Sequence, residues 1–464
     1  VDLCRFDLES RRAEFRFQPV PFECGHVACS GSHSHPSSDG ERFETTASAS
    51  MRRCKLPPST PTEFRVRTLR RAAHRVVVPV LVALAGAVAR AECQDESTPT
   101  FRLVADLRIG SEVGSGPTLT WVDAIRVDPR GRMFVAQPQQ GSVLVFDTFG
   151  KRTGRLGHEG EGPGEFRTIS QMGWLGDSLW VVDARLGRAT LFGPDAANPT
   201  TFPAGTSYPY PFSRSVAAAL LEHGHAVLPV SVSLPALVSG DRRRAPVLLV
   251  DRNMAPLDTL ATVDLTRSRL VSKTPDGGML VSSQQPYDDS PLVRTGDRGR
   301  EIVVVERSVA PSASVDSFRV TALDSDGRQM WSRWLQFTPQ RVNPDQADSL
   351  IDQLAQDFAS SFTSRADARR AVQAGLFVPP FEPPVTDCVV GHDGIVWLRR
   401  DVFAADGMSW TVLDPDGTSM ARVRSSGPIH LFDASSTRAW GVEYSSLDVP
   451  FVVRYRLERV GSDR

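Results

Sequence analysis

Lysine is nearly absent: of the 53 lysines and arginines only Lys55, Lys151 and Lys273 are lysine, and the arginines are scattered rather than clustered. Scatter of this kind fits a coding bias and marks no arginine-specific function. An excess of one charge sign is also missing. The formal net charge of −1 removes any global electrostatic argument for nucleic acid or an anionic membrane. The apolar run Val76 to Ala89 has fourteen residues, short of the ~20 that a bilayer-spanning helix needs. No G-x-S-x-G motif at a strand-to-helix turn occurs, which excludes a nucleophile elbow.

What is present begins with an address. Arg67, Arg70, Arg71 and Arg75 precede the apolar run, and Ala89-Arg90-Ala91 follows it with small residues before a cut. This is the layout of a secretory signal peptide over 67–91. The expectation is an exported protein, periplasmic or extracellular, that meets a membrane only if this segment stays uncleaved. Residues 1–66 show no useful apolar period and are expected to be a non-native or disordered upstream extension, with Met51 as the start of translation. Within them "CGHVACSGSHSH" offers Cys24, His26, Cys29, His33 and His35 at zinc-like density, but an upstream or disordered segment outweighs a metal site. Of the six cysteines, Cys93 and Cys388 remain in the mature chain, and an oxidising compartment would allow them to pair.

Beyond a mature N-terminal segment, 92–100, a phrase recurs: a strand, a tight turn rich in Asp and Gly, then further apolar strands. "DAIRVDPRGRMFVAQPQQGSVLVFDTFGKRTGRLG", "QMGWLGDSLWVVDARLGRATLFGPDA" and "DCVVGHDGIVWLRRDVFAADGMSWTVLDPDGTSMARVR" are the clearest copies. Their runs have the β-branched and aromatic bias of strands. First turns fall at Asp128, Leu175, Glu222, Thr274, Gly391 and Asp433, with spacings of 47, 47, 52, 117 and 42 residues. Such a period suits four-stranded blades that bury their faces by radial stacking.

The spacing predicts an all-β, six-bladed β-propeller over 101–458, followed by a short tail, 459–464. A seventh blade is the alternative, with "SPLVRTGDRGREIVVVERS" as its extra hairpin. The last unit, Ile429 to Leu457, has three strands, and Phe101 to Ile109 supplies the fourth, closing the ring. A short helical insertion at about 343–375 opens on an Asn343 cap and Pro344, with Ala347, Leu350, Ile351, Leu354 and Phe358 on one stripe.

"GHEGEGPGEF", Gly157 to Phe166, resembles a phosphate cradle only in its glycines. Glu159, Glu161 and Glu165 would repel phosphate, and strands rather than a helix follow. Its glycines fit a sharp turn between blades. Gly160, Gly162, Pro163, Gly164, Glu165 and Phe166, then Val181, Asp183 and Arg188, make the chain similar to the NHL-repeat type of six-bladed β-propeller. That resemblance implies glycine-rich blade linkers and a Val-x-Asp strand end followed by an arginine. Some propellers similar to this one are lyases or lactone hydrolases that hold metal in the central channel.

Strands alternate in direction, so blade linkers and the loops between second and third strands share one rim. On that rim His158, Glu161, Asp183, Arg185, Arg188, Tyr287, Asp288 and Asp289 are the candidate binding residues, with the helical insertion as a lid or docking element. His223, His225 and His392 fall at first turns on the opposite rim and give no convergent triad, so no metal, cofactor or catalytic residue is assigned. The functional expectation is a monomeric, non-catalytic protein that binds a protein, peptide or glycan through its loop face. The alternatives are a metal-dependent lyase or hydrolase acting in the central channel, and a membrane-anchored sensor or scaffold.

Overall fold

The computed structural model describes residues 98–461, apart from 113–116, 195–197, 240–242, 275–278, 282–284, 309–315 and 402–406. The expected signal peptide, the Cys24 to His35 stretch and Cys93 lie outside the described residues. Strands dominate. The first sheet comprises Ile125–Val127, Met133–Gln137, Ser142–Phe146 and Arg152–Leu156 in chain order. The second runs from Ile169–Leu175 to Thr200–Pro203, the third from Ala219–Leu220 to Pro256–Asp264, and the fourth from Leu292–Thr295 to Gln329–Phe337. Each has four antiparallel strands, and their arrangement is propeller-like.

An eight-stranded sheet completes the set. One half is the meander from Asp387–Val390 to Ser419–Arg424; the other contains His430–Ala434, Arg438–Tyr444, Pro450–Arg459 and the strand β1 (Thr100–Ile109). β1 lies antiparallel to Pro450–Arg459, from Phe101 opposite Arg459 to Ile109 opposite Val452. A three-residue parallel seam, Thr100 to Arg102 beside Arg422 to Arg424, joins the halves.

The sequence explains why these strands form. Met133–Gln137 and Ser142–Phe146 are buried at every position, as the middle strands of a sheet packed on both faces must be. Their outer neighbours carry the polar residues. Turns between third and fourth strands follow one rule: Asp147, Asp251, Asp324 and Asp414 each accept the backbone N–H groups two and four residues ahead. A short carboxylate that satisfies its own turn competes well with continued strand. Apolar clusters then run from sheet to sheet: Phe134 with Trp174, Val182 with Leu228, Val305 with Val396, Trp397 with Val453, and finally Val452 back to Ile125.

The fourth repeat unit departs from the expected register. Thr274 follows Val271–Lys273, which pairs with Met279–Val281 as a two-stranded ribbon. The four-stranded sheet begins instead at Leu292. The hairpin expected as a seventh unit supplies its first two strands, because Ile302 to Val305 is the apolar stretch buried throughout and only such a stretch can sit mid-sheet.

Among the described residues, ribbons and α-helices gather on one rim. Ribbons at His158–Phe166, Gly205–Val216 and Val271–Val281 fall between sheets, and short helices α1 (Leu234–Ser239) and α2 (Leu265–Ser268) border the third sheet on that side. Helices α3 (Pro344–Asp357) and α4 (Arg365–Gly375) lie between the fourth and eight-stranded sheets. Asn343 caps α3 by accepting from Asp345 N at 2.9 Å, and Ser364 accepts from Asp367 N at 3.1 Å to cap α4. Among the described residues the opposite rim carries turns and one 3-10 turn, Glu222–Gly224. No described helix is long and apolar enough to cross a membrane.

Candidate functional site

The first strands of all these sheets line one cavity of about 370 Å³. Arg126 enters from the first sheet, Gln171 from the second, Ala219 from the third and Arg294 from the fourth; Asp387 and His430 come from the two halves of the eight-stranded sheet. Its walls carry fixed charge of both signs. Arg294 Nη2 lies 3.0 Å from Asp387 Oδ1. Burial pushes the Asp387 carboxyl up, but Arg294, Arg399 and His430 outweigh it and leave the group below its usual range. Asp123 shifts the other way: burial raises it against the Trp121 indole N–H and the His430 charge. Arg126 Nη1 donates to Ile125 O at 2.7 Å and Phe432 O at 2.8 Å, while its buried Nε has no hydrogen-bond partner.

At the turn end of these strands three ligand-type side chains converge. Asp297, His392 and Asp433 each offer a donor atom, and the three lie within 4.8 Å of one another. Matching turns hold the first two: Gly299 N donates to Gly296 O at 3.0 Å, and Gly394 N to Gly391 O at 3.0 Å. The Asp297 carbonyl accepts from Trp174 N at 2.6 Å, which ties the fourth sheet to the second. Asp433 Oδ2 accepts from Val127 N at 3.0 Å and Oδ1 from Ala434 N at 2.8 Å. Burial, then the Asp433 carboxylate, push Asp297 up to about 7. His392 is raised chiefly by Asp433, whose Oδ1 stands 3.9 Å from Nδ1, against the opposing effect of burial.

With this geometry in view, comparison with known proteins adds distant likenesses. No family model matches the chain, and no curated protein matches it. Solved structures with a similar fold include a member of the DUF4221 family from Bacteroides vulgatus, 11% identical with TM-score 0.40, covering 78% of this chain and 99% of that one. The calcium-binding protein regucalcin from Agrobacterium tumefaciens is 10% identical with TM-score 0.33, covering 77% and 96%. Virginiamycin B lyase from Staphylococcus aureus is 9% identical with TM-score 0.34, covering 74% and 98%.

The structure places the residues singled out on the loop rim in different settings. Asp183 is buried, and its carboxylate accepts from Arg167 N at 2.7 Å and Leu186 N at 2.9 Å. Arg188 donates to the backbone oxygens of Glu161, Gly162 and Glu165 at 2.7, 2.7 and 3.0 Å. Asp288 pairs with buried Arg307 at 3.0 Å, and Asp289 takes both contacts from Arg267 Nη1. Tyr287 is buried in the cluster under α3 and α4, with Leu270, Leu350 and Val372. His158, Glu161 and Arg185 are exposed on the rim. Cys388 is buried, has no disulfide partner among the described residues, and its thiol is pushed up to about 12 by desolvation; its expected partner Cys93 lies outside the described residues.

The glycine-rich loop is conformational, as its sequence suggests. Gly157 has φ +71°, and a Cβ there would stand 2.5 Å from the Phe166 ring. Arg188 staples the loop at three carbonyls, so Arg188→Ala is expected to leave the protein folded but open Glu161 and Glu165 to a Glu-specific protease. An unchanged cleavage pattern would show that the glycines hold the loop without the arginine.

Sequence reasoning missed Asp297 and Asp433 and set His392 aside for want of partners. The partners exist: all three occupy the end of a first strand or the turn just after it, in "GDRG", "GHDG" and "FDAS". Placing the fourth unit at Thr274 hid the first of these.

Proposed function

We propose that this is an exported six-bladed β-propeller, similar to the NHL type, that binds a small polar ligand in its central channel. The eight-stranded sheet is read as two blades joined at the β1 seam, which with the other four sheets makes six. The signal-peptide layout of 67–91 carries the export reading, and the protein acts as a monomer in the periplasm or outside the cell.

One observation carries the binding reading: the first strands of the four-stranded sheets and of both halves of the eight-stranded sheet line a single cavity of about 370 Å³, and Arg126, Arg294, Asp387 and His430 bring charge of both signs to it. A volume of this order suits a small molecule. Arginine forks beside carboxylates recognise a ligand with its own carboxylate or hydroxyls. The loop-rim candidates support that reading less well, because Asp183, Arg188, Asp288 and Asp289 are committed to the fold.

A panel of amino acids, sugars and organic acids screened by thermal shift tests this. At least one compound is expected to raise the melting temperature of the wild type, by an amount that is largely lost in Arg294→Gln. A ligand at 100 times its Kd contributes ~2.7 kcal/mol. If every stabilising compound acts equally on the wild type and on a folded Arg294→Gln variant, the channel reading fails. A second reading, docking of a protein, peptide or glycan on the loop rim, is favoured by Tyr210, 63% exposed on the ribbon Gly205–Val216. Loss of partner capture in Tyr210→Ala, with channel variants unaffected, would select it.

A further inference from the structure

We propose that Asp297, His392 and Asp433 form a binding site for one divalent transition-metal ion at the turn end of the channel. Donor atoms about 2.1 Å from a shared ion stand at most about twice that distance apart. The three donors already lie within 4.8 Å of one another, so small side-chain rotations complete the set. One imidazole nitrogen with two carboxylate oxygens suits a first-row ion such as Zn²⁺ or Mn²⁺ better than Ca²⁺, which prefers oxygen alone.

Proximity is not the only support. Asp297 is 4% exposed, yet neither carboxylate oxygen has a hydrogen-bond partner. Nδ1 of His392 is buried and makes no hydrogen bond, with Asp433 Oδ1 3.9 Å away. A buried carboxylate is costly unless something compensates it. Arg126 is the cation that acts most on Asp297, but it makes no hydrogen bond to either oxygen, and its Nη1 serves Ile125 and Phe432. Asp433 keeps acceptor capacity, because each oxygen takes a single backbone N–H and a carboxylate has about four lone-pair positions. Coordination takes an imidazole as neutral and a carboxylate as the anion, with release of any proton they carry, so the bound set would bring two negative charges to a divalent ion.

Asp297 also lines the ligand cavity. Three protein ligands leave coordination positions for water or for a donor atom of the channel ligand. The ion therefore sits where it can meet that ligand, but its binding does not require one. The two readings fail separately: metal titration uses the ion alone, and the compound screen can be run with or without metal.

The test is calorimetric titration of EDTA-treated protein with Zn²⁺ and, separately, Mn²⁺. One equivalent per chain is expected for at least one of the two ions. Outer-shell changes already cost about 10–100-fold in affinity, so Asp297→Asn and His392→Gln are each expected to lose at least that much. His223→Gln, at the surface cluster with His225 and Asp326, should bind as the wild type does. No saturable binding of either ion, undiminished binding in folded Asp297→Asn, or loss in His223→Gln instead would overturn the site. Should both ligand variants misfold, Co²⁺ absorption of the wild type decides: bands of a low-coordinate site are expected, and the spectrum of the hydrated ion would refute it.

Discussion

A chain that begins at Gly110, without β1, is expected to lose cooperative unfolding and to aggregate. β1 is sandwiched between Pro450–Arg459 and Ser419–Arg424, so its removal bares an unpaired edge on each. Leu103 and Ile109 are buried in different clusters, the first with Val423 and Tyr455, the second with Trp440 and Val452. Burial of each aliphatic side chain stabilises by ~1.5–3 kcal/mol. Together they amount to ~3–6 kcal/mol before any ladder hydrogen bond is counted, a large part of the ~5–15 kcal/mol that typically separates folded from unfolded states. Charged partners reinforce the pairing: Arg102 meets Glu458 at 2.8 Å, and Asp106 meets Arg454 at 2.6 Å. A synthetic Thr100–Ile109 peptide added to the truncated chain should restore a cooperative urea transition. An unchanged urea midpoint without the peptide would show that β1 is dispensable.

The second large effect is expected at Arg307, where alanine should destabilise by ~3–5 kcal/mol. Its side chain is 2% exposed, yet every nitrogen has work: Nε donates to Ser290 O at 2.6 Å, Nη1 to Val385 O at 2.8 Å and Nη2 to Asp288 Oδ2 at 3.0 Å. Burial lowers the guanidinium pKa, and Asp288 leads the opposing carboxylates. One side chain thus fastens the end of Glu301–Glu306 to the loop before Leu292 and to the chain returning from α4. Removing it strands Asp288 and two carbonyls. Asp288→Ala combined with Arg307→Ala should cost less than the sum of the single changes, because the stranded charge goes too. Strict additivity in chemical denaturation would mean that the pair is not coupled.

Much of this fold could be read from residues alone. Apolar runs such as "RMFVAQ" and "LWVVDA" are central strands, Asp-Gly turns break them, and β1 pairs with the three-stranded end of the chain. The register slipped at one place for a physical reason. Val271–Lys273 and Met279–Val281 look locally like the start of a sheet, and hairpin propensity does not reveal whether further strands will join them. Sheet membership depends on what packs beside it, and the buried run Ile302 to Val305 settles that in favour of Leu292.

The candidate site was harder to see because turn carboxylates are common and do two different jobs. Asp414 turns back on its own backbone and accepts from Asp416 N and Thr418 N. Asp297 sits in a similar Asp-Gly turn, but its carboxylate is left unbonded beside His392 and Asp433. Position in the turn separates the two: Asp414 is the first residue of its turn, which Gly417 N closes on the Asp414 carbonyl, whereas Asp297 is the second residue of the turn Gly296 to Gly299, and its carbonyl is held from across the channel by Trp174 N. On the loop rim, Asp183 and Arg188 have the charge expected of a binding face, and the fold uses that charge to hold backbone.

The most direct measurement is a crystal structure of the protein with a compound that stabilises it. The account predicts density for that compound between the first strands, against Arg126, Arg294 and Asp387. Density on the loop rim, over Tyr210 or α3, with the channel containing only solvent, would contradict it.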